Sequence, residues 1–173
     1  MAVRRILVAL ATLLAPMPLL AACGGGGDSV ADPPISSSPT SSPTTQHRES
    51  PEHFIRRWAA EEKRMENTGK TDMYLSLSRH CRACRQLASD IRRYYAAGGY
   101  AHWGGWRIHS ILKSGSSAAG IAYTVRVVSC PTAYRKSADT AVQHLAGGPA
   151  THQLVIRWTG SGWQVMAKAQ VAT

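Results

Sequence analysis

Four cysteines, seven histidines and ten acidic residues are the groups with which this 173-residue chain could do chemistry. Cys81 and Cys84 enclose Arg82 and Ala83 in a Cys-x-x-Cys spacing. In an oxidising compartment that spacing closes a local disulfide. The loop it closes is very small, so the entropic stabilisation is modest. A helix start near Cys84, with His80, Arg82 and Arg85 beside it, would also lower a thiol pKa, as thiol–disulfide exchange requires. The βαβ pattern that surrounds such a motif in thioredoxin-like proteins does not precede it. A structural Cys81–Cys84 disulfide is therefore the expectation and a redox dithiol the alternative. Cys130 is left over and reads as free or intermolecular.

His102, His109 and His152 lie on or beside segments that alternate like strands. A catalytic histidine needs a partner that fixes its tautomer, and no carboxylate is placed to do this. The alternating segments contain no Asp or Glu; Asp90 falls on a helix and Asp139 in a loop. A carboxylate base within the sheet is excluded by that inventory. A small hydrolase or isomerase using His109 or His152 is a further alternative. The histidines lack a zinc-like spacing. No Gly-x-Ser-x-Gly, P-loop or dinucleotide fingerprint is present. No catalytic residue, metal site or cofactor is assigned.

The remaining cysteine, Cys23, ends a different kind of segment. Arg4 and Arg5 precede an apolar run from Ile6 to Leu20, and Leu20-Ala21-Ala22 leads into Cys23. A basic start, about 15 apolar residues and small residues before the cut describe a secretory signal. The run falls short of the ~20 residues of a membrane span, and Pro16 and Pro18 interrupt it. Leu-Ala-Ala-Cys resembles the bacterial lipobox, in which the cysteine is diacylated and becomes the first mature residue. Two acyl chains anchor a protein stably where one does not. Residues 1–22 thus read as a lipoprotein signal peptide. Residues 23–50 read as a lipidated Cys23 followed by a disordered Gly/Ser/Thr/Pro tether, which carries too little apolar surface to fold. A flexible chain of that length spans ~30 Å. The expected location is the extracytoplasmic face of the cell membrane.

Residues 51–173 are enough for a single core. From Met73 onward there are 12 Lys or Arg and only two acids, Asp90 and Asp139, so the positive charge belongs to this domain. Outside a membrane the acidic neighbours are anionic lipid headgroups and phosphate-bearing wall polymers, not nucleic acid. Partners expected on this reading are the membrane through Cys23, an envelope protein, anionic lipid or wall polymer.

These groups must be positioned by helices and then strands. Ser50-Pro51 starts a helix on which Phe54, Ile55, Trp58, Ala59, Glu62 and Met65 share a face, with Gly69 as its stop. Glu62 interrupts the apolar stripe, which predicts a half-buried helix. Thr71-Asp72 opens a short helix carrying Met73, Tyr74, Leu75 and Leu77. Cys84 to Ala97 forms a third, with Leu87, Ala88, Ile91, Tyr94 and Tyr95 inward, ended by Gly98-Gly99. The period then changes to two. Trp106, Ile108, Ser110 and Leu112 share one face of a strand, and Ile121, Tyr123, Val125 and Val127 one face of the next. Ser114 to Gly120 reads as a turn and Tyr134 to Pro149 as loop. Leu154, Ile156 and Trp158 belong to a third strand, and Trp163, Val165, Ala167 and Ala169 to a fourth after a Gly160-Ser161-Gly162 turn. Helices followed by antiparallel strands are an α+β pattern.

Pro51 to Lys113 resembles an uncharacterised family of actinobacterial lipoproteins. The resemblance is carried by Phe54, Trp58, Thr68-Gly69-Lys70-Thr71, Leu75, Leu77, Cys81-Arg82-Ala83-Cys84, Ile91, Tyr94-Tyr95-Ala96-Ala97-Gly98-Gly99 and Trp106. The family's usual acid after the Thr-Gly step is here Lys70. No activity comes with this resemblance. The order of elements also resembles the nuclear-transport-factor-2-like cone, in which N-terminal helices pack on a curved antiparallel sheet, here of about four strands. Such a cone commonly encloses a pocket, and Trp58, Tyr74, Tyr94, Trp106, His109 and Trp158 are its candidate lining. The resulting expectation is a non-enzymatic envelope lipoprotein whose domain binds a partner or an amphipathic ligand.

Overall fold

A computed structural model describes residues 48–171 of the chain. The segment read as a signal peptide, Cys23 and most of the segment read as a tether lie outside the described residues.

Helix α1 spans Pro51–Thr68. The Ser50 side chain accepts a hydrogen bond from the His53 backbone N–H at 3.2 Å, and Pro51 occupies the first turn, where its missing N–H costs nothing. Phe54, Ile55, Trp58, Ala59, Glu62 and Met65 are all buried, so the face predicted from spacing is the face that packs. The helix stops at Gly69, whose φ of 72° puts its N–H onto the Met65 carbonyl at 2.9 Å. The Tyr95 ring closes over this glycine: an added Cβ would lie 2.6 Å from Cγ of Tyr95. Helix α2 spans Asp72–Ser76 and α3 Arg82–Ala96. Cys81 caps α3, its sulfur accepting from the Cys84 N–H at 3.1 Å. Cys81 and Cys84 form the expected disulfide and both are fully buried. Cys130 is free.

Seven strands follow: β1 Tyr100–Trp103, β2 Trp106–Ser117, β3 Gly120–Ser129, β4 Thr132–Arg135, β5 Gln143–Leu145, β6 Gly148–Trp158 and β7 Trp163–Val171. Four make the main antiparallel sheet in the order β2-β3-β6-β7, and β1-β4-β5 form a small second sheet. The main sheet holds the four strands expected. The stretch expected to be loop from Tyr134 to Pro149 instead contains part of β4, all of β5 and the start of β6. β4 and β5 are short and pair with β1 or with each other, so backbone pairing rather than alternation makes them, and the first residues of β6 extend its pairing with β3. The expected turn from Ser114 is also shorter, because β2 and β3 stay paired to Ser117 and Gly120.

Two bulges set which side chains face the helices. Ile108 pairs with Val127, but Ser110 pairs with Arg126, so His109 is the extra residue in β2. Beyond it the phase inverts: Ile111 stands opposite buried Val125, and Leu112, expected inward, is exposed. In β7, Val165 pairs with Ile156 and Ala167 with Val155, leaving Met166 as the extra residue. Ala167 and Ala169, expected on the inner face with Trp163 and Val165, therefore turn outward, and Lys168 pairs with buried Leu154 on the inner face.

The inner face meets α1 through Trp58, Met65, Tyr123, Val125, Leu154, Ile156 and Val165. Asn67 ties β1 to α1: its Nδ2 donates to the Trp103 carbonyl at 2.9 Å and its Oδ1 accepts from the Trp103 N–H at 3.0 Å. At the opposite end of the sheet, Trp163 Nε1 donates to the Glu49 carbonyl at 2.8 Å, and the Arg48 guanidinium lies 4.1 Å from the Trp158 ring centroid. The chain is thus held on the domain just before α1 begins.

Candidate functional site

The β7 bulge brings Lys168 to the buried face of α1. Its Nζ donates to Glu62 Oε1 at 2.6 Å, and the Tyr74 hydroxyl donates to Glu62 Oε2 at 2.9 Å. Glu62 is 1% exposed. Burial and the neighbouring Glu62 raise the Tyr74 phenol and keep it a hydrogen-bond donor. Lys168 Nζ also lies 4.8 Å from the Trp106 ring centroid and 5.5 Å from that of Trp58, where the aromatic faces favour a cation. A buried carboxylate survives only when paired and hydrogen-bonded, and here both oxygens are engaged.

Beside this pair a cavity of about 440 Å³ opens between α1 and the sheet. Glu62 and Glu66 reach it from α1, one helical turn apart. Trp103, Trp106, His152 and Lys168 reach it from the strands. Leu145 and Pro149 line it from β5 and β6. Gly147, also on its lining, lets the β5–β6 connection close onto β3, since a Cβ there would fall 2.3 Å from the Ser129 carbonyl oxygen.

His152 is 7% exposed and lies flat against Trp106, with ring centroids 4.3 Å apart and an interplanar angle of 14°. Its Nδ1 is buried with no hydrogen-bond partner among the described residues. Burial lowers its pKa to about 4; Lys168 lowers it further and Glu62 partly opposes this. It is therefore neutral at pH 7. Glu66 behaves in the opposite sense. Burial, reinforced by repulsion from Glu62, pushes its carboxyl up to about 8, with Lys168 only partly offsetting this. At pH 7 the cavity holds a paired Glu62–Lys168, a protonated Glu66 and a neutral His152. Two similarly open cavities of comparable volume, beside His80 and Arg82 and beside Lys70 and Arg92, hold no buried polar atom without a partner among the described residues.

Of the residues singled out from spacing, Trp106 lines the cavity, and Trp58 and Tyr74 lie in the core next to it. Trp58 stacks on Tyr74 at 5.7 Å and meets Trp106 edge-on at 5.8 Å. The other three lie elsewhere. Tyr94 stacks on Tyr134 at 6.1 Å. His109 is exposed at the β2 bulge, and Trp158 packs edge-on against Trp163 at the β6–β7 hairpin. His102 is exposed on β1. Sequence reasoning passes over Glu66, Lys168 and Trp103. The exclusion of a carboxylate within the sheet holds, since none of the seven strands carries one. The cavity carboxylates come from α1 instead. The visible signal is Glu62 itself, an acid in the middle of an apolar stripe. Such a residue marks a buried partner rather than a half-exposed helix.

Three helices followed by antiparallel strands, with a cavity between α1 and the main sheet, make this the α+β fold expected from the order of elements. No protein-family model matches the chain, and no curated protein matches it in sequence. Similar solved structures include the intermembrane space region of the chloroplast protein ARC6, at 13% identity and a TM-score of 0.49, covering 70% of this chain and 94% of that one. A second is the beta subunit of benzoate 1,2-dioxygenase from Burkholderia mallei, at 10% identity and a TM-score of 0.46, covering 72% and 91%. A third is an NTF2-like protein with a cystatin-like fold from Novosphingobium aromaticivorans, at 15% identity and a TM-score of 0.41, covering 69% and 79%. At these values no residue role is taken from them.

Two outcomes follow from the site's electrostatics. Glu62→Gln strands Lys168 on the inner face and is expected to cost about 3 kcal/mol. Adding Lys168→Met should recover part of that loss, giving a coupling of about 1–3 kcal/mol in urea denaturation; strictly additive losses would show that the pair is not formed. The second concerns pH. The Glu66 pKa is raised on folding from 4.5 to about 8, so its contribution is full below 4.5 and is lost as pH rises through 8. The His152 pKa is lowered from 6.5 to about 4, so its contribution is present above 6.5 and is lost as pH falls through 4. Between pH 4.5 and 6.5 the two slopes oppose, and from 6.5 to 8 only the Glu66 loss remains. The melting temperature should therefore fall over pH 6.5–8, and Glu66→Gln should flatten that fall.

Proposed function

We propose that this protein is an envelope lipoprotein, anchored through Cys23, whose cone domain binds a small amphipathic ligand without transforming it. The observation that carries the ligand reading is the cavity itself, with tryptophan walls and a buried imidazole nitrogen that has no protein partner among the described residues. Its lining joins the apolar side chains of Leu87, Trp103, Trp106 and Leu145 to the polar groups of Glu66 and His152, a mixed wall that suits an amphipathic ligand. Val142 and Leu145, two of the large exposed apolar side chains, lie on or beside β5 next to the cavity. An apolar rim suits a ligand that partitions into a membrane surface.

The lipobox and the Gly/Ser/Thr/Pro tether support the anchor. The basic excess of the domain supports a setting beside anionic lipid or wall polymer. A binding role also fits the protonation states. A histidine with a pKa near 4 is a weak base at neutral pH, and general bases work best with a pKa close to the working pH. The redox alternative is not favoured, because both disulfide sulfurs are buried and exchange requires an attacking thiolate to reach one of them.

One experiment tests both halves. The chain carrying Cys23→Ser should be recovered in the soluble fraction, whereas the unaltered chain remains with membranes. The soluble protein should bind the uncharged dye Prodan at one site, with a blue shift in its emission. Ala150→Phe, which places a ring in the cavity, should abolish that binding while the melting curve stays cooperative. Prodan binding that survives Ala150→Phe would place the ligand elsewhere.

A further inference from the structure

The polar floor of the cavity restricts what can occupy it. Lys168 and Glu62 are in direct contact at 2.6 Å, so their charges cancel within the protein. The other Glu62 oxygen is taken by Tyr74. The groups left for a ligand are His152 and Glu66. His152 is more than nine-tenths buried, its ring is held by Trp106, and Nδ1 faces no protein partner among the described residues. Neither ring nitrogen has a hydrogen-bond partner among the described residues, and a ligand group that meets the imidazole edge lining the cavity would add one net hydrogen bond. Glu66 lines the same cavity, and its side chain makes no hydrogen bond among the described residues. Trp103, Trp106 and Leu87 supply flat or apolar wall. Trp103 stands edge-on to Trp106, at 6.2 Å and 82°.

We propose that the cavity takes an uncharged amphipathic molecule with a flat apolar body against Trp106 and Trp103 and a polar end, carrying both a hydrogen-bond donor and an acceptor, held by His152 and Glu66. A carboxamide is the simplest group of this kind. This rests on the ligand-binding reading above and names the ligand class for it. Both signs of charged head are disfavoured. A carboxylate would sit beside Glu62 and could reach a cation only by competing for Lys168. An ammonium would meet Lys168, find Glu62 already engaged, and pair with Glu66 only if that carboxyl, which burial and Glu62 hold in its neutral form, gave up its proton. Either ion would be desolvated without a free counter-charge, which costs more than one hydrogen bond returns. The raised Glu66 carboxyl and the lowered His152 imidazole leave both groups uncharged near neutral pH, in keeping with an uncharged ligand.

Displacement of Prodan at pH 7 by four naphthalenes of matched shape tests this: naphthalene-2-carboxamide, naphthalene-2-carboxylate, 2-naphthylmethylammonium and naphthalene. The carboxamide should displace the dye at concentrations ~10-fold below either ion and ~5-fold below naphthalene, the latter being about one net hydrogen bond. His152→Phe, which keeps a ring against Trp106, should abolish the advantage of the carboxamide over naphthalene. Should that variant fail to fold, Glu66→Leu should reduce the same advantage. An ion that competes as well as the carboxamide, or a carboxamide advantage that is absent in the unaltered protein or unchanged in both variants, overturns the proposal. Prodan binding without preference overturns only this assignment; no Prodan binding at all overturns the ligand-binding reading as well.

Discussion

The contact among Glu62, Tyr74 and Lys168 is the constraint around which this fold is arranged. A carboxylate at 1% exposure on the packing face of α1 must find a cation and a donor, or the helix cannot lie against the sheet. The cation comes from β7 and the donor from α2, so one side chain fixes the rotation of α1 relative to two other elements. Replacing such a pair by apolar residues is often neutral for stability, so its presence points to a role beyond holding the core together. That role is to set the polar floor of the cavity. With Glu62 placed, Glu66 follows one turn later on the same wall, and its carboxyl is driven toward the neutral form by burial and by Glu62.

Much of the fold is legible in the order of residues alone. The Ser50 cap, the Gly69 stop and the six-residue face of α1 are local features, and local rules describe them. The Cys81–Cys84 disulfide and the order of helices before strands are likewise readable. The losses have definite causes. A bulge adds one residue and inverts the faces beyond it, and nothing in an alternating pattern announces where it falls. The bulge at His109 sends Leu112 outward, and the bulge at Met166 sends Lys168 inward. The second hides the partner of Glu62, and without that partner an acid on an apolar stripe reads as partial exposure. Strands β1, β4 and β5 are three or four residues long and held by pairing across distant sequence, where periodicity has too few residues to register.

The chain also separates its charges by depth. The exterior is strongly basic, with a formal net charge of +10 for the whole chain, whereas the cavity groups sum to zero at neutral pH. A basic exterior concentrates anionic surfaces around the protein without specifying a ligand. In the proposed binding role, a neutral cavity walled by Trp103 and Trp106 would select by shape and hydrogen bonding. In the proposed setting the first property keeps the domain at the envelope surface, and the second decides what it takes from there.

The claim that the cavity is the ligand site is tested most directly by the indole N–H signals of the tryptophans. They should be followed by two-dimensional NMR of 15N-labelled Cys23→Ser protein during titration with naphthalene-2-carboxamide. Trp103 and Trp106 line the cavity, whereas Trp158 and Trp163 pack together at the β6–β7 hairpin. The account predicts saturable shifts of the Trp103 and Trp106 signals, with those of Trp158 and Trp163 unmoved. Shifts confined to Trp158 and Trp163, or no shifts at any indole, would contradict it.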